Sequence, residues 1–268
     1  MKVQVHILAT CRSADLIDAT TFVFRSIRTG FPTAKIVVWD NANSTFHLSE
    51  VRETVKRMPG GGDRTLVPLP TRLNHWEWIK GLVMNPANVE PIWLCDTDMA
   101  FWAPVEEWEW YDCAIAGRRM PKFYDAYSKC LTLPRLHTCL MWIDPAQVRM
   151  ELEEQAKSFD LPVFGNEMAD PFKSFFCFDP DGRRLFFDTC SILAYAVRRH
   201  EFTAEENACF DHLHCGTYVD VMETAYPGIG KGHRTFLEHP SLLRGKWPEQ
   251  ESFFKSLKEP THATNEQG

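Results

Sequence analysis

Val3, Val5 and Ile7 alternate with polar positions and run into Leu8 and Ala9, which predicts a strand ending near Thr10. Leu16, Ala19, Val23 and Ile27 then recur at helical spacing, with Ser13 or Asp15 as the cap and Gly30-Phe31-Pro32 as the stop. The uninterrupted apolar run Ile36-Val37-Val38-Trp39 suits a strand buried on both faces of a parallel sheet, and it ends on Asp40-Asn41. A strand–helix–strand unit is therefore expected at the start of the chain.

Ser49 to Lys56 predicts a second helix, closed by Pro59 and Gly60-Gly61-Gly62. Thr65 to Leu69 predicts a short edge strand, because Pro68 and Pro70 remove ladder donors. Trp76, Ile79, Leu82 and Val83 mark another amphipathic helix, and Pro91-Ile92-Trp93-Leu94-Cys95 a buried strand running into Asp96-Thr97-Asp98. Alternating strand and helix is the pattern of a doubly wound α/β sheet. Beyond this point the pattern is mixed. Strands are predicted at Cys113 to Gly117 and Thr138 to Ile143, and a helix from Pro145 to about Lys157 behind the cap Asp144. A turn is predicted at Asp179 to Gly182, and Asp188 is expected to cap a helix carrying Ile192, Leu193, Ala196 and Val197.

Composition limits the function classes. The 268 residues are 44% hydrophobic and 13% aromatic, enough for a sizeable core without disulfide or metal staples. Asp plus Glu number 36 against 29 Lys plus Arg, a formal charge of −7, which disfavours binding to duplex nucleic acid through its phosphates. The nine cysteines include no Cys-x-x-Cys pair and read as reduced thiols. No apolar run approaches the roughly 18 residues of a membrane helix, and the first residues lack a signal-peptide layout. A cytoplasmic protein is the expectation.

Asp96-Thr97-Asp98 is the strongest chemical signal. Two carboxylates two apart, at the carboxyl end of a buried strand, lie where open α/β sheets bind ligands. Hard oxygen ligands at this spacing suit Mg²⁺ or Mn²⁺ that also grips a diphosphate, the alternative being an Asx-rich turn. Asp40 ends a neighbouring strand, where an acidic residue can meet a ribose or base, or make a turn. Gly228-Ile229-Gly230-Lys231-Gly232-His233-Arg234 reads either as a loop that orders over a diphosphate through Lys231 and Arg234 or as an exposed basic hairpin. The groups Trp76/Trp78, Trp102/Trp108/Trp110 and Phe172/Phe175/Phe176 are aromatic enough to stack on a sugar or base, although large aromatics usually belong to the core.

In order and spacing, Ile7 to Arg12, Ile36 to Ser44 with its Asp-Asn-x-x-Ser run, and Trp93 to Asp98 resemble the nucleotide-sugar glycosyltransferases of the GT-A fold over about residues 3 to 145. The resemblance implies that Thr10, Cys11 and Arg12 lie beside the nucleotide base and that Asp40 holds the base or ribose. It implies Asp96 at the ribose or a metal-bound water, and Asp98 as ligand of a divalent metal bridging the diphosphate. It also implies a late third metal ligand, best matched by His214 before Cys215-Gly216, with His212 as the alternate. Without the family, His212-Leu213-His214 would suit zinc or would face solvent. Asp188 is similar to an acceptor-side aspartate of such enzymes, a candidate general base.

The expected fold is therefore α/β: a single GT-A-like mixed sheet flanked by helices, over residues 1–248. Residues 1–100 are the expected nucleotide-sugar half and 101–248 the acceptor half, with 249–268 a C-terminal helix and frayed tail. The expected activity is metal-dependent transfer from a nucleoside-diphosphate sugar, a UDP-sugar first, to a hydroxyl of a saccharide, protein, metabolite or hydroxymethylated DNA base. A nucleotidyltransferase is the alternative enzyme, but its Gly-rich basic loop is replaced by Thr10-Cys11-Arg12-Ser13-Ala14-Asp15. A catalytically inactive nucleotide- or glycan-binding protein is the non-enzymatic alternative.

Overall fold

The computed structural model describes residues 3–9, 26–41, 52–53, 55–56, 63–97, 99–121, 123–125, 130–132, 134–155, 163–164, 184–186 and 189–212. Its centre is a seven-stranded mixed sheet of order β11-β6-β9-β4-β1-β2-β3. The parallel part comprises β1 (Gln4–Ala9), β2 (Lys35–Asp40), β3 (Arg64–Pro68) and β4 (Ile92–Cys95). Strand β9 (Arg135–Ile143) runs antiparallel to both β4 and β6 (Ile115–Met120), and β11 (Arg199–Glu201) adds in parallel to β6. Three short strands form a second sheet, in which β8 (Cys130–Thr132) lies between β7 (Phe123–Asp125) and β10 (Arg184–Phe186). The ladder of β5 (Met99–Phe101) with β12 (Phe210–His212) is antiparallel.

The two-residue period of the central strands sends side chains to two separate cores. Val5, Ile7, Ile36, Val38, Trp93 and Cys95 enter one, packed against Ile27 and Phe31 at the end of helical residues 26–30. Leu8, Ile92, Leu94, Met141 and Ile143 enter the other, covered by α1 (His75–Met84) and α2 (Pro145–Gln155). Burial on both faces is why these strands read as continuous apolar runs. Arg149 of α2 donates to the carbonyls of Val83 at 2.6 Å, Asn85 at 3.1 Å and Asn88 at 3.0 Å, so the free carbonyls at the end of α1 are met by a neighbouring helix. Asp144 accepts from the Gln147 amide at 2.9 Å, the cap expected for α2. No helix among the described residues is long and apolar enough to cross a membrane.

The helix expected behind Asp188 is a correction. The helix α3 covers Leu193–Ala196, and its N-cap position is Ile192. Residues 189–192 form turns, with Cys190 at φ 58° and its side chain buried at 1% exposure. A left-handed residue breaks the helical path, so a cap four residues upstream of Ile192 has no helix to cap. Asp188 itself lies outside the described residues. Sequence patterning also missed β5, β7, β8, β10, β11, β12 and α4 (Ala204–Asn207), all of three or four residues.

Candidate functional site

The order of the parallel strands reverses between β1 and β4, because β2 and β3 follow on one side of β1 and β4 lies on the other. The carboxyl ends at such a reversal form a crevice, the usual ligand position in open α/β sheets. Ala9 pairs with Asp40 in the parallel register, and Cys95 pairs with Ile7, so the ends of β1, β2 and β4 lie along one edge. With neighbouring strands about 4.8 Å apart, the ends of β2 and β4 are about 10 Å apart across β1.

Asp40 is the last residue of β2 and is 2% exposed. The next residue, Asn41, is buried at 3% exposure and donates its backbone N–H to the Ala9 carbonyl at 2.9 Å. Its side-chain amide closes a two-bond ring with Leu73: Nδ2 donates to the Leu73 carbonyl, and Oδ1 accepts from the Leu73 N–H, both at 2.9 Å. This ring ties the chain entering α1 to the end of β2. Asn74 occupies the N-cap of α1, and its backbone N–H donates to Glu77 at 2.7 Å, so the helix starts at His75.

His75 is thereby placed against the aspartate that follows β4. Its Nε2 lies 3.6 Å from Asp96 Oδ1, with the two side chains 17% and 22% exposed. The imidazole stacks on Trp78 at 5.7 Å and 22°. Asp96 is anchored through its backbone N–H, which donates to the Cys139 carbonyl of β9 at 2.8 Å. Thr97, at 2% exposure, is buried behind it. A partly exposed carboxylate, an imidazole and the N-terminal end of a ten-residue helix together make an edge suited to a cation bound by oxygen and to an anion bound by helix N–H groups.

Among the sequence-derived candidates, Asp40 and Asp96 are brought to this edge. The register of the β5–β12 ladder sets His212 opposite Met99, the residue after Asp98 in the chain. Thr10, Cys11, Arg12, Asp98, Asp188, His214, Lys231 and Arg234 lie outside the described residues, as do Phe172, Phe175 and Phe176. Among the described residues no three His, Cys, Asp or Glu side chains form a metal cluster. Trp78 is core at 3% exposure and Trp76 packs half-buried against the same core, while Trp108 and Trp110 belong to the other core and the opposite edge of the sheet. Asn41 and His75 were not singled out from sequence. The spacing of Asn74 and Glu77 carried the signal for His75, since it sets the helix start and so the position of the first helical residue.

No family model matches the chain, and no curated protein matches it in sequence. The solved structures it is similar to include glycosyltransferases. The glycosyltransferase GlyE of Streptococcus pneumoniae TIGR4 is 11% identical at a TM-score of 0.43, over 90% of this chain and 52% of that one. The mannosyltransferase PcManGT of Pyrobaculum calidifontis, solved with GDP-Man and Mn²⁺, is 20% identical at 0.40, over 57% of this chain and 46% of that one. The bifunctional glycosyltransferase WbbM is 11% identical at 0.40, over 56% and 32%. The chain thus spans about a third to a half of the length of these three solved chains. At these TM-scores, the chemistry of this chain rests on its own topology and residues.

Proposed function

We propose that the chain is a divalent-metal-dependent glycosyltransferase that moves a sugar from a nucleoside-diphosphate sugar, a UDP-sugar first, to an acceptor hydroxyl. The observation that carries this reading is the convergence of Asp40 and Asp96 at the reversal point of the sheet, beside the N-terminal end of α1. Asp40 binds the ribose or base, with Thr10, Cys11 and Arg12 beside the base. Asp96 and Asp98 supply hard oxygen ligands, and His214, or His212 in its place, supplies the third. The β5–β12 register supports this set, because it draws the strand carrying His212 alongside the residue that follows Asp98. His75 Nε2, 3.6 Å from Asp96 Oδ1, flanks the same carboxylate. When bound, Mn²⁺ or Mg²⁺ neutralises charge on the leaving diphosphate.

Lys231 and Arg234 add charge-assisted bonds to the same diphosphate. Asp188 is the proposed general base. As the acceptor oxygen bonds to the anomeric carbon, its proton passes to the Asp188 carboxylate, and the bond from that carbon to the diphosphate breaks with its electron pair on the leaving group. The test is release of nucleoside diphosphate from a panel of nucleotide sugars with Mn²⁺. The wild type is expected to turn over one donor, and Asp98→Asn to lose about 10² or more of that rate, because an anionic metal ligand is gone. Near-wild-type turnover by Asp98→Asn with EDTA present would overturn the metal reading.

A further inference from the structure

The chain changes its ladder partner between β4 and β5. Strand β4 pairs with β9 as far as Cys95 opposite Leu140, whereas β5, from Met99 on, pairs with β12. Asp96, Thr97 and Asp98 are the residues between these two strands. In an antiparallel ladder, the two residues of a hydrogen-bonded pair exchange both of their N–H···O bonds. Asp96 gives the first of these, its N–H donating to the Cys139 carbonyl at 2.8 Å. The second goes elsewhere: the Cys139 N–H donates to His137 Nδ1 at 3.0 Å, and the Asp96 carbonyl accepts from the Cys95 thiol at 3.3 Å.

The break coincides with an irregularity of β9. Between the pairs Gly117–Met141 and Arg119–Leu136, β6 advances two residues while β9 advances five, so His137 to Leu140 stand opposite Arg118 alone. Bulges end pairing or re-aim a side chain, and they recur beside active sites. The bond that closes this one is local. A side-chain acceptor takes the N–H two residues on, as Asn and Asp do in an Asx turn. His137 is half-buried, and its Nδ1, as the acceptor, is the unprotonated ring nitrogen. Opposite the bulge, Arg118 reaches toward the second ladder. Its Nε donates to Asn207 Oδ1 at 2.8 Å, and its guanidinium lies 4.6 Å over the ring of Phe210 in β12.

We propose that His137 is a positioning residue: by taking the Cys139 N–H it ends the β4–β9 ladder, and so keeps Asp96 and Thr97 out of the sheet and at the crevice. This inference rests on the metal-dependent reading of the Asp-x-Asp segment. It gives the imidazole no contact with substrate or metal. Cys139 is fully buried, so its N–H needs an acceptor, and a buried donor left unpaired costs free energy. Without the His137 acceptor, the carbonyl across the strand pair at Asp96 is the remaining candidate. Turning to it displaces the Cys95 thiol and zips Asp96 into the ladder. The carboxylate of residue 96 is then aimed by the pleat of the sheet and no longer by the crevice.

The experiment compares the full chain as wild type, His137→Ala, His137→Gln and His137→Asn, with UDP titrated by calorimetry in Mn²⁺ and in EDTA. Mn²⁺ is expected to tighten UDP binding by about tenfold or more in the wild type, and by less than about threefold in the Ala and Gln variants. His137→Asn is expected to keep the wild-type gain, because its Oδ1 takes the same N–H two residues on, whereas Gln is one methylene too long for that ring. Affinity in EDTA is expected to be the same in all four. Gln keeps a polar side chain at a half-buried position, so it carries the comparison if the Ala variant does not fold. A second readout needs no metal: in EDTA at neutral pH, the ring ¹⁵N shifts of His137 are expected to show a protonated Nε2 and an unprotonated Nδ1. Absence of a Mn²⁺ gain in the wild type would overturn the metal reading and this proposal with it. With that gain present, the positioning role alone is overturned by any of three results. These are a full gain in the Ala or Gln variant, a loss in the Asn variant as large as in Ala, or a proton on Nδ1.

Discussion

His6 shows how one buried side chain ties stability to pH. It is 6% exposed in β1, and its Nδ1 accepts from Trp39 Nε1 at 3.0 Å, a bond open only to the unprotonated ring nitrogen. Burial, with Lys35 adding repulsion, pushes its pKa down to about 4. An unfolded chain takes up this proton near pH 6.5, so between about 6.5 and 4 the unfolded state binds more protons than the folded one. The contribution is fully present above pH 6.5 and is lost as pH falls through the window, by about 3 kcal/mol in all. Urea denaturation at several pH values is expected to show a shallower slope in this window for His6→Asn, which keeps an acceptor for Trp39 and removes the titration. An unchanged slope would assign the pH dependence elsewhere. At this scale the strand-end aspartates were legible because Asp40 and Asp96 directly follow apolar runs. Cys190 was not, since nothing in Thr189-Cys190-Ser191 announces a left-handed residue.

Elements were legible where their own pattern sufficed. Strands β1, β2 and β4 and helices α1 and α2 carry apolar periodicity or caps, and each lies close to its expected place. Strands β5, β11 and β12 have three residues each and exist through partners far along the chain, as Phe210 opposite Phe101 and Arg199 opposite Ile115. A three-residue strand has no period to read. The placement of α1 at the crevice is likewise non-local, because it depends on the Asn41–Leu73 ring. Asn41→Ala removes both bonds and strands the Leu73 N–H and carbonyl, at an expected cost of about 1–3 kcal/mol in urea unfolding at constant m-value. Because α1 carries His75 to Asp96, the same variant is expected to weaken UDP binding with Mn²⁺ as well. Full stability in Asn41→Ala would show that α1 is held by its apolar face alone.

Across the whole molecule, the mixed sheet separates two kinds of surface. One edge gathers Asp40, Asp96, His75 and the start of α1, and the other gathers indoles and carboxylates around a cavity. The first was readable in outline from Asp-x-Asp at a strand end. The second was not, because Glu90, Trp110 and Trp142 meet only through the antiparallel return of β9 beside β4. The net charge of −7 is consistent with the proposed site, in which a metal rather than a broad basic face would meet an anionic donor. The central claim is therefore metal-dependent binding of a nucleoside diphosphate at the first edge. It is tested most directly by titrating UDP into the wild type by calorimetry, with Mn²⁺ and with EDTA. Mn²⁺ is expected to tighten UDP binding by about tenfold or more, as a bridging cation would. Equal affinity in Mn²⁺ and in EDTA, or no binding in either, would contradict it.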